Sequence, residues 1–425
     1  MFKQASKSVL LQRYEAARQQ YRGIGVDTDA ALTRLQSVPI SLHCWQGDDV
    51  RGFEVHDEAL AGGGIMATGN YPGAARTPDM LRADAEKAFS LIPGKLRFNL
   101  HAIYAETAGK VVERDQLTPE HFAKWMAWAK ANGICLDFNP TFFAHPKAND
   151  GYTLSHADES IRGFWVRHAI ACRRIAEAMG RNQGAPCIIN HWIPDGAKDQ
   201  PIDRWAPRQR LVQSLDEMLA ADVDTAYCHD AVESKLFGIG SEDYVVGSHE
   251  FYLGYALTHA PMLCLDMGHF HPTETIHDKI SAVLTFKKEL LLHVSRGIRW
   301  DSDHVVILNE DLRCLFQQIV RGNALDRVNI ALDFFDASIN RIGAWVVGTR
   351  AVQKALLNAL LEPVSLLQNM ESAGDMASKL ALLEELRTFP LGAIWDMYCL
   401  ERNVPAGPAW IAEMESYDRE VIRKR

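Results

Sequence analysis

The sequence predicts an α/β fold class, a (β/α)8 TIM barrel with an N-terminal helical segment and a C-terminal helical extension. Short apolar segments of strand type alternate eight times with segments of helical periodicity. Each connection is long enough for neighbouring strands to pair in parallel. Polar side chains recur where the apolar segments end, which is the edge at which barrel active sites lie.

Three regions follow from this pattern. Residues 1–36 are predicted to form two helices, with a break near Gly23, that pack on the barrel. Residues 37–361 are predicted to form the barrel and its active site, and residues 362–425 a helical extension. Continuous apolar runs are typical of strands buried on both faces. The eight predicted strands are 38–43, 96–101, 134–138, 187–190, 227–233, 261–266, 290–294 and 328–333.

The helices between the strands are predicted from apolar positions three and four apart and from capping residues. Thr118 before Pro119, for example, is typical of a helix start. The predicted helices are 78–91, 118–133, 158–179, 207–221, 274–290, 311–321 and 339–361. After residue 362 only helices are predicted, at 376–386, 393–401 and 410–423. We expect this extension to bury Leu380, Leu383 and Trp395 between subunits.

Composition excludes several classes of protein. The chain has 425 residues, 47% of them hydrophobic, and a formal net charge of -9, which would repel the phosphates of nucleic acid. Its eight cysteines show no CxxC spacing and are expected to be reduced thiols of a cytoplasmic protein. No apolar run reaches the roughly 18 residues that a membrane span needs. We therefore expect no nucleic-acid partner and no membrane partner.

Carboxylate and imidazole side chains follow the last four predicted strands. They are Glu233, Asp266, His269, His293, Asp301, Asp303 and Asp333. Any one of them could simply be a salt-bridge partner or a polar group at a strand end. Five converging carboxylates, however, would repel each other strongly without a cation. Oxygen and nitrogen ligands suit Mn²⁺, Mg²⁺, Co²⁺ or Zn²⁺, and seven ligands predict two ions that share a carboxylate.

Two further polar side chains are predicted to face the same pocket. Lys235 lies two positions after Glu233 and would share its face of the strand. Its ammonium could polarise a substrate carbonyl, or it could form an ordinary ion pair. His101 ends the second predicted strand, where a neutral imidazole can relay a proton. The alternative for His101 is a structural role.

Aromatic residues follow the ends of strands one, three and four, namely Trp45, Phe138, Phe142 and Trp192. At a barrel mouth such side chains can pack on the apolar face of a sugar, although a place in the core is the alternative. The sequence has no Gly-x-Ser-x-Gly motif and no phosphate-binding loop. A serine hydrolase and a nucleotide-binding protein are therefore not supported.

Several longer motifs match a known family. They are His43-Cys-Trp-Gln-Gly-Asp-Asp49, Asn99-Leu-His-Ala-Ile-Tyr104, Val232-Glu-Ser-Lys-Leu-Phe-Gly238, Trp300-Asp-Ser-Asp-His-Val305 and the segment 332–341. In these motifs, and over nearly its whole length, the sequence resembles the bacterial L-rhamnose isomerases, within the group of xylose-isomerase-like barrels. The resemblance implies a cytoplasmic homotetramer that uses Mn²⁺ and interconverts the sugars L-rhamnose and L-rhamnulose.

The resemblance also implies roles for the metal-binding residues. His269, Asp301 and Asp303 match ligands of a catalytic ion. Glu233, Asp266, His293 and Asp333 match ligands of a structural ion, and Asp266 is expected to touch both ions. The two-ion set expected from the residues alone therefore agrees with the set that the family implies.

The expected reaction is a metal-assisted hydride shift between C2 and C1 of the sugar. His101 would help to open the sugar ring, Lys235 would polarise the C1 carbonyl, and Asp333 would hold the water that moves a proton between O2 and O1. The four aromatic residues are candidates for an apolar wall against the C6 methyl group. An isomerase or 3-epimerase acting mainly on another aldose or ketose is the main alternative. A metal-dependent hydrolase and a non-catalytic sugar-binding protein are weaker ones.

Overall fold

Eight parallel strands close into a barrel within the part of the chain that the computed structural model describes, residues 2–54, 67–236, 243–298 and 303–425. The strands in chain order are β1 Ile40–His43, β2 Leu96–His101, β3 Cys135–Asn139, β4 Cys187–Trp192, β5 Gly196–Ala197, β6 Cys228–Glu233, β7 Tyr244–Val245, β8 Met262–Asp266, β9 Leu290–Val294 and β10 Val328–Leu332. Strands β5 and β7 form a separate antiparallel pair. The other eight pair in sequence order, and β1 closes the barrel on β10. The predicted fold class is confirmed.

The helices surround this barrel. They are α1 Lys7–Arg22, α2 Thr28–Ser37, α3 Pro78–Phe89, α4 Ala123–Ala131, α5 Glu159–Gln183, α6 Trp205–Leu219, α7 His249–Thr258, α8 Ile276–Leu284, α9 Glu310–Arg321, α10 Arg341–Leu360, α11 Val364–Ser372, α12 Met376–Leu386, α13 Leu391–Glu401 and α14 Trp410–Glu420. One helix from α3 to α10 follows each barrel strand in turn. No helix in the described ranges is long and apolar enough to cross a membrane.

Helix α5 shows how the sequence determines these elements. Asp158 begins the helix because its carboxylate accepts the backbone N–H groups of Ser160 and Ile161. Gly184 ends the helix in the left-handed conformation, with φ of 66°. Between these ends, Trp165 and Met179 are fully buried against the barrel. Burial of a large apolar side chain contributes about 1.5–3 kcal/mol, which favours this helix over an unpacked segment.

Helices α1 and α13, which lie near opposite ends of the chain, pack against each other on the outside of the barrel. The ring of Tyr21 in α1 contacts Phe389 edge-on, with centroids 5.2 Å apart. The hydroxyl of Tyr398 in α13 donates to Gln36 Oε1 at 2.9 Å. Trp395 is only 3% exposed, and it is buried by residues of its own chain. The expectation that Trp395 is buried between subunits is therefore wrong, whereas Leu380 of α12 is 63% exposed.

One predicted helix is shorter than expected. The segment 274–290 forms a helix only from Ile276 to Leu284. Beyond it, the ammonium of Lys287 donates to the backbone carbonyls of Ala256 and His259, at 2.7 and 3.0 Å. These bonds hold residues 285–289 as a turn between α8 and β9. A tertiary contact has therefore overridden the local helical pattern.

Candidate functional site

A cavity opens at the carboxyl ends of the barrel strands. His101, Trp192 and Glu233 are the last residues of their strands, and all three line it. The full lining is Trp45, Val50, His101, Asn139, Phe143, Asn190, Trp192, Glu233, Lys235, His269, His293, Asp303, Asp333 and Phe335. The polar ends of the strands therefore converge on one cavity, as the barrel geometry requires.

Six carboxylate and imidazole side chains at this cavity form two groups. Within each group, ligand atoms lie within 4.8 Å of one another. The first group is Glu233, Asp266, His293 and Asp333, and the second is Asp266, His269 and Asp303. Asp266 belongs to both groups, which is the arrangement expected for a carboxylate shared by two ions. The predicted ligand Asp301 lies outside the residues that the structure describes.

Neighbouring donors orient the carboxylates of the first group. Asp266 Oδ1 accepts the backbone N–H of Gly268 and the hydroxyl of Ser295, both at 2.6 Å. Its Oδ2 has no hydrogen-bond partner among the described residues. Trp45 Nε1 donates to Asp333 Oδ1 at 2.9 Å, and Asp333 Oδ2 lies 3.2 Å from His293 Nδ1. One oxygen of each carboxylate is thus fixed while the other faces the cluster, as in protein metal sites.

The imidazole of His269 is held in a defined tautomer. Its Nδ1 donates to the backbone carbonyl of Ser234 at 3.0 Å, so Nδ1 carries the proton. Nε2 therefore presents its lone pair towards the second group, 3.4 Å from Asp303 Oδ1. A hydrogen bond to one ring nitrogen that directs the other is typical of metal-binding histidines.

The electrostatics of the cluster fit a cation. Burial raises the pKa of Asp266 well above its usual value, and burial also raises the pKa of Asp333. These groups cannot all ionise next to each other in a buried site unless positive charge balances them. Both ring nitrogens of His293 and Asp303 Oδ1 also lack hydrogen-bond partners among the described residues. The Cys264 thiol also lies beside Glu233 and His293, but burial raises its pKa to about 12, so it stays protonated. The other donors are oxygens and nitrogens, which suit a hard or borderline divalent ion.

Lys235 stands at the edge of the second group. Its Nζ lies 3.1 Å from His269 Nε2 and 3.8 Å from Asp303 Oδ2. The ammonium also lies 5.3 Å from the ring centroid of Trp192. Although burial opposes ionisation, the Lys235 charge holds the pKa of Asp303 below its usual value. Lys235 therefore reaches the same pocket as Glu233, as the sequence predicts.

His101 lies in the cavity wall opposite the acidic cluster. Its Nδ1 is 3.1 Å from the hydroxyl of Thr141, and its ring contacts Trp45 with centroids 4.8 Å apart. Burial lowers the pKa of His101 to about 3. The imidazole is therefore neutral near pH 7, the form that can accept a proton.

The aromatic lining differs in part from the prediction. Trp45 and Trp192 line the cavity, but Phe138 and Phe142 do not. Side chains alternate along a strand, so Phe138 points away from the barrel axis and packs on Phe122 at 5.0 Å. Phe142 packs on Trp165, on the buried face of helix α5. Its neighbour Phe143 supplies the aromatic surface of the cavity.

Two asparagines of the site were not predicted from the sequence. Asn190 donates a short hydrogen bond to Glu233 Oε2, and Asn139 donates to Asn99 Oδ1 at 2.7 Å. The sequence does hold a signal for Asn190. It lies two residues before Trp192 in a predicted strand region, and side chains two apart share a face.

Solved structures similar to the chain include an L-ribulose 3-epimerase. The two chains are 12% identical, and the match covers 75% of this chain and 95% of the other, with a TM-score of 0.47. A likeness this distant does not bear on the reaction.

Sequence relatives are much closer. The family model for L-rhamnose isomerase (RhaA) matches residues 8–425. The L-rhamnose isomerase of Rhodopirellula baltica is 58% identical over 97% of this chain and 96% of its own. Those of Mannheimia succiniciproducens and Escherichia coli O127:H6 are 57% and 55% identical over 98% of this chain, covering 100% and 99% of their own lengths. The chain belongs to the L-rhamnose isomerase family.

Proposed function

We propose that the protein interconverts L-rhamnose and L-rhamnulose with the help of divalent cations at the barrel mouth. Membership of the L-rhamnose isomerase family supports the substrate pair. One observation carries the metal dependence: two groups of carboxylate and imidazole ligands share Asp266 in one buried cavity. A carboxylate that belongs to both ligand groups can bind two neighbouring cations at once.

We propose two Mn²⁺ ions per subunit, with Co²⁺, Mg²⁺ or Zn²⁺ as alternatives. Glu233, Asp266, His293 and Asp333 would hold one ion, and His269, Asp303 and Asp266 the other. Asp301 is proposed as a further ligand of the second ion from its place in the sequence. The test is metal analysis of the purified protein, followed by removal with EDTA and addition of each ion separately. Activity that survives complete removal of metal would contradict the proposal.

The residues of the chain have separate tasks in this reaction. Bound cations would supply Lewis acidity to the hydroxyl and carbonyl oxygens of the sugar. The Lys235 ammonium adds positive charge where negative charge develops on the C1 carbonyl oxygen. His101 is neutral, and its Nδ1 is engaged by Thr141, so Nε2 is the atom that can relay a proton during ring opening. Asp333 would hold the water that moves a proton between O2 and O1.

An apolar wall completes the pocket. Trp45, Trp192 and Phe143 line the cavity together with the carboxylates, and Trp45 also donates to Asp333 Oδ1 at 2.9 Å. We propose that these rings exclude water and contact the methyl group at C6 of the sugar. Trp45 and Trp192 keep the role expected from the sequence, and Phe143 replaces Phe138 and Phe142. Because one methyl contact is worth only about 1–3 kcal/mol, other aldoses should react more slowly rather than not at all.

The decisive experiment follows the hydrogen at C2. L-rhamnose labelled with deuterium at C2 should give L-rhamnulose that retains the label at C1, because a hydride shift in a closed pocket exchanges nothing with water. The product is analysed by mass spectrometry after partial conversion in ordinary water. Loss of most of the label would indicate an enediol route with proton transfer to a side chain. An enzyme that acts mainly as a 3-epimerase would instead incorporate solvent hydrogen at C3 of a ketose.

We also propose that the protein is a cytoplasmic homotetramer divided into the regions 1–36, 37–361 and 362–425. Met376 and Leu380 of α12 are more than half exposed, which supports a further contact of the extension with another subunit. All eight cysteines are unpaired, which supports a reducing compartment. Light scattering of the purified protein tests the assembly, and fractionation of the source cells tests the location.

A further inference from the structure

Arg114 forms an unusual junction behind the wall of the cavity. Its side chain is 2% exposed, and all five of its N–H donors are used. Two of these donors, on Nε and on one terminal nitrogen, bind the two carboxylate oxygens of Glu54, each at 2.8 Å. The remaining donors bind the backbone carbonyls of Thr141, Phe143 and Ala144 at 2.8, 2.6 and 2.9 Å.

The three carbonyls belong to the loop that follows β3. Carbonyl groups that converge on one point repel each other unless a cation lies between them. Ala144 is also left-handed, with φ of 51°, a conformation that costs roughly 1–2 kcal/mol for a residue other than glycine. The guanidinium of Arg114 therefore stabilises a loop conformation that would otherwise be unfavourable.

This loop carries two parts of the site. Phe143 lines the cavity and contacts the ring of His101, with centroids 5.7 Å apart. The Thr141 hydroxyl lies 3.1 Å from His101 Nδ1. The positions of the apolar wall and of the proposed proton relay thus depend on the loop that Arg114 holds.

The carboxylate partner of Arg114 belongs to a second wall of the cavity. Glu54 lies in the segment after β1, whose Val50 also lines the cavity. The same segment is attached to the end of β2 by the Phe53 N–H, which donates to the Ile103 carbonyl at 2.7 Å. One buried guanidinium therefore connects the segments that follow β1 and β3.

A histidine strengthens this junction. His168 Nδ1 donates to the backbone carbonyl of Arg114 at 3.0 Å. His168 Nε2 accepts the backbone N–H of Thr141, also at 3.0 Å. The backbone of Arg114 and the β3 loop are thus fixed to α5 by a single neutral ring.

We propose that Arg114 is a positioning residue that sets the apolar wall and the orientation of His101 through the carbonyls it binds. The inference rests on the proposed isomerase function. Lysine cannot take this role, because its single ammonium offers three donors from one atom and cannot bridge a carboxylate and three separate carbonyls. Among the described residues, the side chain of Arg114 binds Glu54 and three loop carbonyls and none of the metal ligands, so its effect would reach the reaction through Phe143 and Thr141.

The test compares Arg114→Lys with Arg173→Lys. Arg173 is a matched control, because it is also 2% exposed, binds both oxygens of Asp230 at 2.9 and 3.0 Å, and donates to a backbone carbonyl at 2.6 Å. It lies near the amino-terminal end of β6, away from the cavity. The readouts are KM, kcat and the ratio of kcat/KM for L-rhamnose to that for L-lyxose, a pentose that lacks C6. Bound metal is measured in each variant.

Arg114→Lys should raise KM for L-rhamnose and lower the selectivity ratio about fivefold or more, since a displaced wall loses its contact with the C6 methyl. Bound metal should not change. Arg173→Lys should lose stability yet keep the ratio within about twofold of the wild type. If Arg114→Lys does not fold, Glu54→Gln weakens the same junction and should shift the ratio in the same direction. An unchanged ratio in the folded variant would overturn the inference, whereas a wild type inactive on L-rhamnose would overturn the proposed function instead.

Discussion

Asp266 is the residue on which both proposed ion sites depend. It is buried, its Oδ2 has no hydrogen-bond partner within the described part of the chain, and the residue belongs to both ligand groups. Asp266→Asn should therefore remove both ions and reduce isomerisation to background, because the amide supplies no charge for either cation. Metal analysis and a rhamnose assay measure the two effects. Asp195→Asn is the control, since Asp195 is equally buried but binds Thr153 and Ser155 away from the ligands, and its variant should keep its metal.

Lys235 provides a second prediction at the residue scale. Lys235→Met should lower kcat about 100-fold, the usual effect of removing one electrostatic donor from a reaction site, while bound metal is retained. Lys147→Met is a matched control, because Lys147 also lies over an aromatic ring, at 4.3 Å, and 3.8 Å from a carboxylate. Steady-state kinetics and metal analysis of both variants test whether the ammonium contributes to kcat without affecting metal binding. A Lys235→Met protein with normal kcat would show that the ammonium has no part in the chemistry.

His168 predicts how stability depends on pH. Burial lowers its pKa to about 4, from an ordinary value of 6.5, and its two hydrogen bonds need the neutral ring. Because the folded pKa is the lower one, this stabilisation is complete above pH 6.5 and is lost as the pH falls towards 4. The loss should approach about 1.4 kcal/mol per pH unit in that window. Urea unfolding of the wild type and of His168→Gln between pH 7 and 4 measures it, and equal slopes would contradict the assignment.

At the scale of elements, helix α12 gives a test of assembly. Leu380 is 63% exposed, whereas Trp395 of α13 is buried in its own chain. Leu380→Glu should leave the subunit folded but lower the molar mass seen in light scattering, because a charge would be buried at the subunit contact. Ser378→Glu on the same exposed helix serves as a control. A Leu380→Glu protein with the wild-type mass would place the subunit contacts elsewhere.

The barrel strands could be predicted closely because each is a short apolar run with a polar end. β2 and β9 have the predicted limits, and the ends of β6 and β8 position Glu233 and Asp266. Features that depend on distant partners could not be predicted. The two-residue strands β5 and β7 exist only because Gly196 pairs with Val245, nearly fifty positions later.

In the candidate site, too, the strand residues could be predicted from the sequence and the loop residues could not. Residues at strand ends were predicted to converge, because the closed barrel brings all its strand ends to one rim. Loop residues have no such period, so nothing in the sequence distinguished Phe142 from Phe143. Arg114, which is distant in sequence and was not connected with the site, donates to the carbonyls of Thr141 and Phe143 in this loop.

At the scale of the whole molecule, metal binding should add to stability. The first ligand group joins β6, β8, β9 and the end of β10, so a bound cation connects four neighbouring strands. Binding at 100 times the dissociation constant adds about 2.7 kcal/mol to the free energy of unfolding. Calorimetry should therefore show a higher Tm with Mn²⁺ than with EDTA. Asp266→Asn should show no such increase. A wild-type Tm that is the same with Mn²⁺ and with EDTA would contradict the proposed site.

The pairing of β1 with β10 has a consequence for synthesis on the ribosome. β1 emerges early, but its partner on the other edge, Val328–Leu332, emerges only after most of the chain has been made. At about 5–20 residues per second, that interval lasts roughly 15–60 s. Throughout it, the backbone N–H and C=O groups along one side of β1 have no strand to pair with and could bind other nascent chains. Helices α1 and α2 precede β1, but α1 packs against α13, which is synthesised near the end of the chain. The two ends of the polypeptide are therefore among the last parts to form their native contacts.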